Sequence, residues 1–85
     1  MKIETVILKN PVFKNHKLDF INDGVGNFWV FRTIETQRSR IGHLSVTGLE
    51  VDKEKGRASI VIQANELIAI ANFLQKRKKI LILLL

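Results

Sequence analysis

The chain has 85 residues, 46% of them hydrophobic and 26% charged, with a formal net charge of +6 and no cysteine. A chain this size buries only about 60–65% of its unfolded surface, so it makes one domain with a marginal core; the composition excludes a disordered chain, and the missing cysteines exclude a disulfide framework and every cysteine-containing zinc site. Four of the 14 Lys/Arg fall in Lys76-Arg77-Lys78-Lys79, leaving ten against eight Asp/Glu, so a near-neutral body carries one cationic cluster.

Met1-Lys2-Ile3-Glu4-Thr5 lacks the apolar core of a secretory signal, and the expectation is an intracellular protein. Residues 2–9 read as a strand that begins in alternation and ends apolar. Asn10-Pro11 stops it, because proline donates no hydrogen bond and restricts the residue before it. In residues 12–22, Leu18 and Phe20 are spaced for one strand face. Asn22-Asp23-Gly24-Val25-Gly26-Asn27 is a turn, with glycines that accept positive φ and Asn/Asp that bond their own backbone. A second strand of the same hairpin follows at Phe28–Gln37. Its alternation puts Phe28, Val30, Arg32 and Ile34 on one face and Trp29, Phe31, Thr33 and Glu35 on the other. Gln37-Arg38-Ser39-Arg40 reads as a polar connection and 41–51 as the next strand, with Gly48 at a bulge or tight bend. Asp52-Lys53-Glu54-Lys55-Gly56 reads as a turn and 57–63 as the fifth strand.

From Asn65 the period changes. Leu67, Ile70, Ala71 and Leu74 share one helical face, with Asn65 as N-cap, Glu66 in the first turn and the basic quartet in the last turns, as the helix dipole favours. Ile80-Leu81-Ile82-Leu83-Leu84-Leu85 reads equally as helix or edge strand. This run is far shorter than the ~20 residues that span a bilayer. Uncovered apolar surface of this kind marks a partner surface, and the expected partner is a second copy, held through the helix and the Leu-rich tail. The expected fold is α+β: one domain over 1–85, an antiparallel sheet of five strands with a C-terminal helix packed on one face.

No catalytic constellation stands out. His16 and His43 lie in different elements, and a lone strand histidine is more often a surface or satisfied core residue. The carboxylates are scattered among lysines and turns. Gly24-Val25-Gly26 has neither the third glycine nor the helix that a dinucleotide fingerprint needs. The expectation is a protein that is not an enzyme and holds no metal and no cofactor.

Binding is the stronger reading. Three basic groups, Arg38/Arg40, Lys53/Lys55/Arg57 and Lys76/Arg77/Lys78/Lys79, accompany an aromatic pair, Trp29 and Phe31, on the strand face opposite Phe28, Val30 and Ile34. If the helix covers that latter face, the pair is left open. An aromatic platform beside cations is how proteins hold single strands, because every base has a π-face. The plainer reading makes Trp29 and Phe31 core residues, since large aromatics are mostly buried, and the quartet a solvated helix end.

The stretch from Lys53 to Leu74, Lys-Glu-Lys-Gly-Arg-Ala-Ser-Ile-Val-Ile-Gln-Ala-Asn-Glu-Leu-Ile-Ala-Ile-Ala-Asn-Phe-Leu, resembles the closing strand-to-helix unit of the transcriptional positive-cofactor family. That resemblance implies a curved antiparallel sheet plus helix, dimerisation through the helix, and single-stranded DNA on the sheet, with Lys53, Lys55 and Arg57 meeting the backbone. Two functions are therefore carried forward. The first is a homodimeric module for single-stranded nucleic acid with weak sequence selectivity. The second is a protein-interaction or assembly module, of viral or plasmid accessory type, that docks through its apolar tail without nucleic acid.

Overall fold

The computed structural model describes residues 2–54 and 58–77. Five strands form one antiparallel sheet in chain order: β1 (Ile3–Leu8), β2 (His16–Asn22), β3 (Phe28–Ile34), β4 (Gln37–Ser45) and β5 (Gly48–Val51). Two short strands, β6 (Lys53–Glu54) and β7 (Ala58–Ser59), pair with each other. A single helix, α1 (Ala64–Lys76), closes the chain described. The protein is thus α+β, a five-stranded antiparallel sheet with its helix on one face. No helix among the described residues is long and apolar enough to cross a membrane.

Strand alternation decides which face the helix covers. Leu18 and Phe20 of β2 and Val30 of β3 point to one side and are at most 1% exposed. There they meet Ile70, Phe73 and Leu74 of α1 and Ile41 and Leu44 of β4. Phe73 stacks on Phe20 with ring centroids 3.9 Å apart and meets Phe28 edge-on at 4.7 Å. Two such aromatic contacts on one helix residue, worth about 0.5–1.5 kcal/mol each beyond area burial, anchor the helix over β2 and β3. The helix runs antiparallel to β1. Asn65 donates to the Lys9 carbonyl at one end, and Arg77 binds Glu4 at the other while lying 3.8 Å above the Phe73 ring.

Several elements differ from the sequence reading. The segment 37–40 is not a connection but the first half of β4. A two-residue turn, Glu35-Thr36, precedes it, with Glu35 at φ 57° and its backbone held to Asn15 in both directions. No glycine announces that turn. The expected strand over 41–51 is divided at Val46-Thr47, and Gly48, at φ 136°, opens β5. The fifth strand of the sheet is therefore 48–51 rather than 57–63. Residues 60–63 lie outside any strand and lead into the helix, whose N-cap is the extended Gln63 and not Asn65. Glu66 accepts the Gln63 N–H at 2.9 Å, which supplies the reciprocal half of a capping box and satisfies a donor at the helix start.

Candidate nucleic-acid interface

The face of the sheet away from α1 carries the aromatic pair. Trp29 and Phe31 are half-buried and stand in register with His43 and Arg40 of β4, and Thr33 with Arg38. That register holds because of one irregularity. Val30 faces Gly42 but Phe31 faces Arg40, so Ile41 is the extra residue of a β-bulge. In an unbroken strand, counting back from His43 would turn Arg40 and Arg38 toward the helix and Ile41 toward the open face, since one residue of slip exchanges faces. The bulge instead sends Ile41 into the core at 0% exposure and keeps both arginines beside the aromatics.

The result is a layered surface. The Arg38 guanidinium carbon lies 4.2 Å above the Phe31 ring centroid, that of Arg40 lies 4.6 Å above Trp29, and the His43 ring sits 4.3 Å from Trp29. The rings are on the face left uncovered by the helix, as the alternation implies, but arginines lie across them because guanidinium planes are attracted to aromatic faces.

Both arginines and His43 are also aimed by carboxylates. Arg40 Nε bonds Asp52 at 2.6 Å, Arg38 Nε lies 3.6 Å from Asp19, and His43 Nε2 lies 2.7 Å from Asp23. Asp23 is pinned in the 22–27 turn, where its other oxygen accepts the Val25 and Asn27 N–H groups. The bond from His43, then the Val25 and Asn27 N–H groups, hold its carboxyl below the usual value of 3.8 against the opposing effect of burial. This pairing lowers net potential and fixes geometry, so the face presents stacked rings and aimed donors rather than a broad positive field. Between Lys17 and Arg38, the buried Thr33 hydroxyl has no partner among the described residues. Such an orphan is the kind of group that ordered water or a ligand satisfies.

The other basic residues expected at the site divide. Lys53 is exposed at the start of β6 and lines a cleft with Arg40. Lys76 and Arg77 are not brought to the aromatic pair; both engage Glu4 at the start of β1, on the helix side. Lys55, Arg57, Lys78, Lys79 and the Ile80–Leu85 run lie outside the described residues.

Residues read one by one as bland form a buried cluster on the helix side. Glu66, 0% exposed, receives His16 Nε2 at 2.8 Å and Arg32 Nε at 2.7 Å, while Arg32 Nη2 also reaches the Val61 carbonyl at 2.7 Å. Burial alone would raise the Glu66 carboxyl, but the bonds from Arg32, His16 and the Gln63 N–H outweigh it and hold it below its usual value of 4.5. His16 Nδ1 faces the Asn10 amide nitrogen at 3.1 Å, so Nδ1 accepts from Asn10 while Nε2 donates to Glu66. The signal was Arg32 itself: a cation between Val30 and Ile34 on the core face demands a buried counter-charge. No group of His, Asp and Glu able to hold a metal occurs among the described residues.

The chain matches no family model, no curated protein and no solved structure.

Proposed function

We propose that the open face of the sheet binds single-stranded nucleic acid, DNA with weak sequence selectivity, and that the protein acts as a homodimer through its helix and Leu-rich tail. The observation that carries this reading is the side-by-side pair of guanidinium-on-ring stacks, Arg38 on Phe31 and Arg40 on Trp29, on a face the helix leaves uncovered. Unpaired bases stack on aromatic rings and equally on guanidinium planes. In either case the arginine donors stay near the phosphates. The resemblance of residues 53–74 to the positive-cofactor family supports the same ligand. Titrating the protein with a labelled oligothymidylate while recording Trp29 fluorescence tests it. Saturable quenching that weakens steeply with salt is expected, and an unchanged Trp29 signal at low salt would overturn it.

A second reading has its own observation. Leu67 and Ile68 on α1 are 52% and 63% exposed, and Ile3 and Ile7 on the edge strand β1 are 52% and 81% exposed. These suit a protein partner without nucleic acid. Binding through them would change little with salt, which separates the two readings in one titration series.

A further inference from the structure

β5 pairs with β4 only over Gly42–Ser45, so the other half of β4, Gln37–Arg40, is paired with β3 alone and its second edge is free among the described residues. A cleft of about 480 Å³ lies along that free edge, lined by Arg32, Gln37, Ser39, Arg40, Lys53 and Asp52 with Ile60. A second hollow shares Arg32, Gln37 and Ser39 and continues toward the Glu35-Thr36 turn. We propose that this cleft takes one phosphodiester group of the strand whose bases lie on Trp29 and Phe31, an inference that rests on the reading above.

Three features carry it. First, the donors are held in advance. Glu66 takes Nε and Nη2 of Arg32, leaving Nη1 without a partner among the described residues. Asp52 holds Arg40 through Nε, and the remaining guanidinium nitrogens of Arg40 have no hydrogen-bond partner among the described residues. Preorganised guanidinium donors are the groups that recognise phosphate oxygens.

Second, the charge fits one phosphodiester. Arg32, Arg40 and Lys53 supply three positive charges, and Asp52 and the Glu66 behind Arg32 supply two negative ones. Among the described residues the surplus is one, the charge of a single diester. The Ser39 hydroxyl and the Gln37 amide add neutral donors. Third, Arg40 belongs to both places. It lies over Trp29 on the open face and lines the cleft, so a strand leaving the platform across the free edge of β4 meets the cleft next.

The test uses the full chain with two probes, an oligothymidylate and inorganic phosphate, and two variants at the cleft rim, Ser39→Glu and Lys53→Gln. Ser39 is exposed on β4 and Lys53 on β6, so neither change removes a core side chain. Ser39→Glu is expected to weaken oligothymidylate binding about tenfold, and Lys53→Gln to lower the log–log salt slope by about one unit. Both should leave the Trp29 quench at saturation as in the parent. Inorganic phosphate alone should shift the backbone amide resonances of Gln37 and Ser39 in the parent and not in Ser39→Glu. Quenching that persists with unchanged affinity and slope in both variants would overturn the cleft and leave the platform standing. Failure of any Trp29 quench would overturn the platform, and the phosphate titration then decides the cleft by itself: unmoved Gln37 and Ser39 resonances would end it.

Discussion

Two residues concentrate the structural consequences of single substitutions. Glu66 is a fully buried carboxylate whose charge is matched by Arg32, and breaking such a pair from one side strands the other charge at a cost of about 3–5 kcal/mol. Glu66→Gln is therefore expected to destabilise the fold by roughly that amount in chemical denaturation. The same carboxyl gives a pH dependence of definite sign. Its folded value is depressed below 4.5, so the unfolded chain takes up the proton first as acid is added. The stabilisation is complete above the unfolded value and is lost as pH falls through the folded one. Denaturation midpoints measured from neutral pH into the acid range should fall steeply in the parent, and Glu66→Gln should flatten that part of the curve. Trp29 behaves differently, because it is half-buried on the open face beneath Arg40. Trp29→Ala should cost about 1–3 kcal/mol of oligonucleotide binding, the stacking increment, with a much smaller loss of folding stability. A melt beside a titration reads both, and collapse of folding with unchanged affinity per folded molecule would assign Trp29 to the core instead.

At the scale of elements, β4 sets which side chains stand beside the aromatic pair, and it is also where the sequence is hardest to read. Gly42 of β4 sits against β5 so closely that a Cβ there would stand 2.6 Å from the Glu50 carbonyl oxygen. Backbone cannot swing aside as a side chain can, so Gly42→Ala is expected to cost about 1–3 kcal/mol and to loosen the β4–β5 pairing, visible as faster amide exchange over Gly48–Val51. Replacing Arg38 and Arg40 together by Gln should lower the salt slope of binding by up to about two units if both meet phosphates. Much of this region's surroundings was legible in advance. The alternation of Phe28 to Ile34 placed the aromatic pair opposite the helix, the Asn/Asp/Gly cluster at 22–27 marked its turn, and the three-and-four spacing of Leu67, Ile70 and Leu74 marked the helix. The rest depended on pairing. Arg38-Ser39-Arg40 is too polar to resemble a strand, because its edge and outer face are in water. The bulge shows in sequence only as a broken period, with apolar Ile41 and Leu44 three apart where a strand wants two or four. The His16–Arg32–Glu66 cluster joins three elements, and no local pattern reports a contact between residues 16 and 66.

Across the molecule, apolar side chains among the described residues stay exposed along one side of the small core. Among the described residues β1 is an edge strand, paired only with β2, and edge strands in natural proteins are usually blunted by charge, proline or a covering element. Here Ile3 and Ile7 are exposed along it, and on the other side of the same strand a groove of about 300 Å³ runs between β1 and α1, lined by Val6, Leu8 and Ile68. Apolar surface therefore continues from the outer face of the sheet around its edge to the helix. An obligate dimer would cover it and add the core area that 85 residues lack. It would also give two platforms to one nucleic-acid strand, raising avidity without new contacts at either site. The parent protein is expected to sediment as a dimer. Ile68→Glu should shift it to monomer, since Ile68 is 63% exposed in the single chain and a charge there would be buried only on association. Deleting residues 80–85 should do the same if the Leu-rich tail belongs to the contact. Loss of the dimer should also weaken oligonucleotide binding more than it changes the Trp29 quench at saturation, because each platform survives intact. A parent that sediments as a monomer, unaltered by either change, would remove self-association from the account and leave this apolar edge to a different protein.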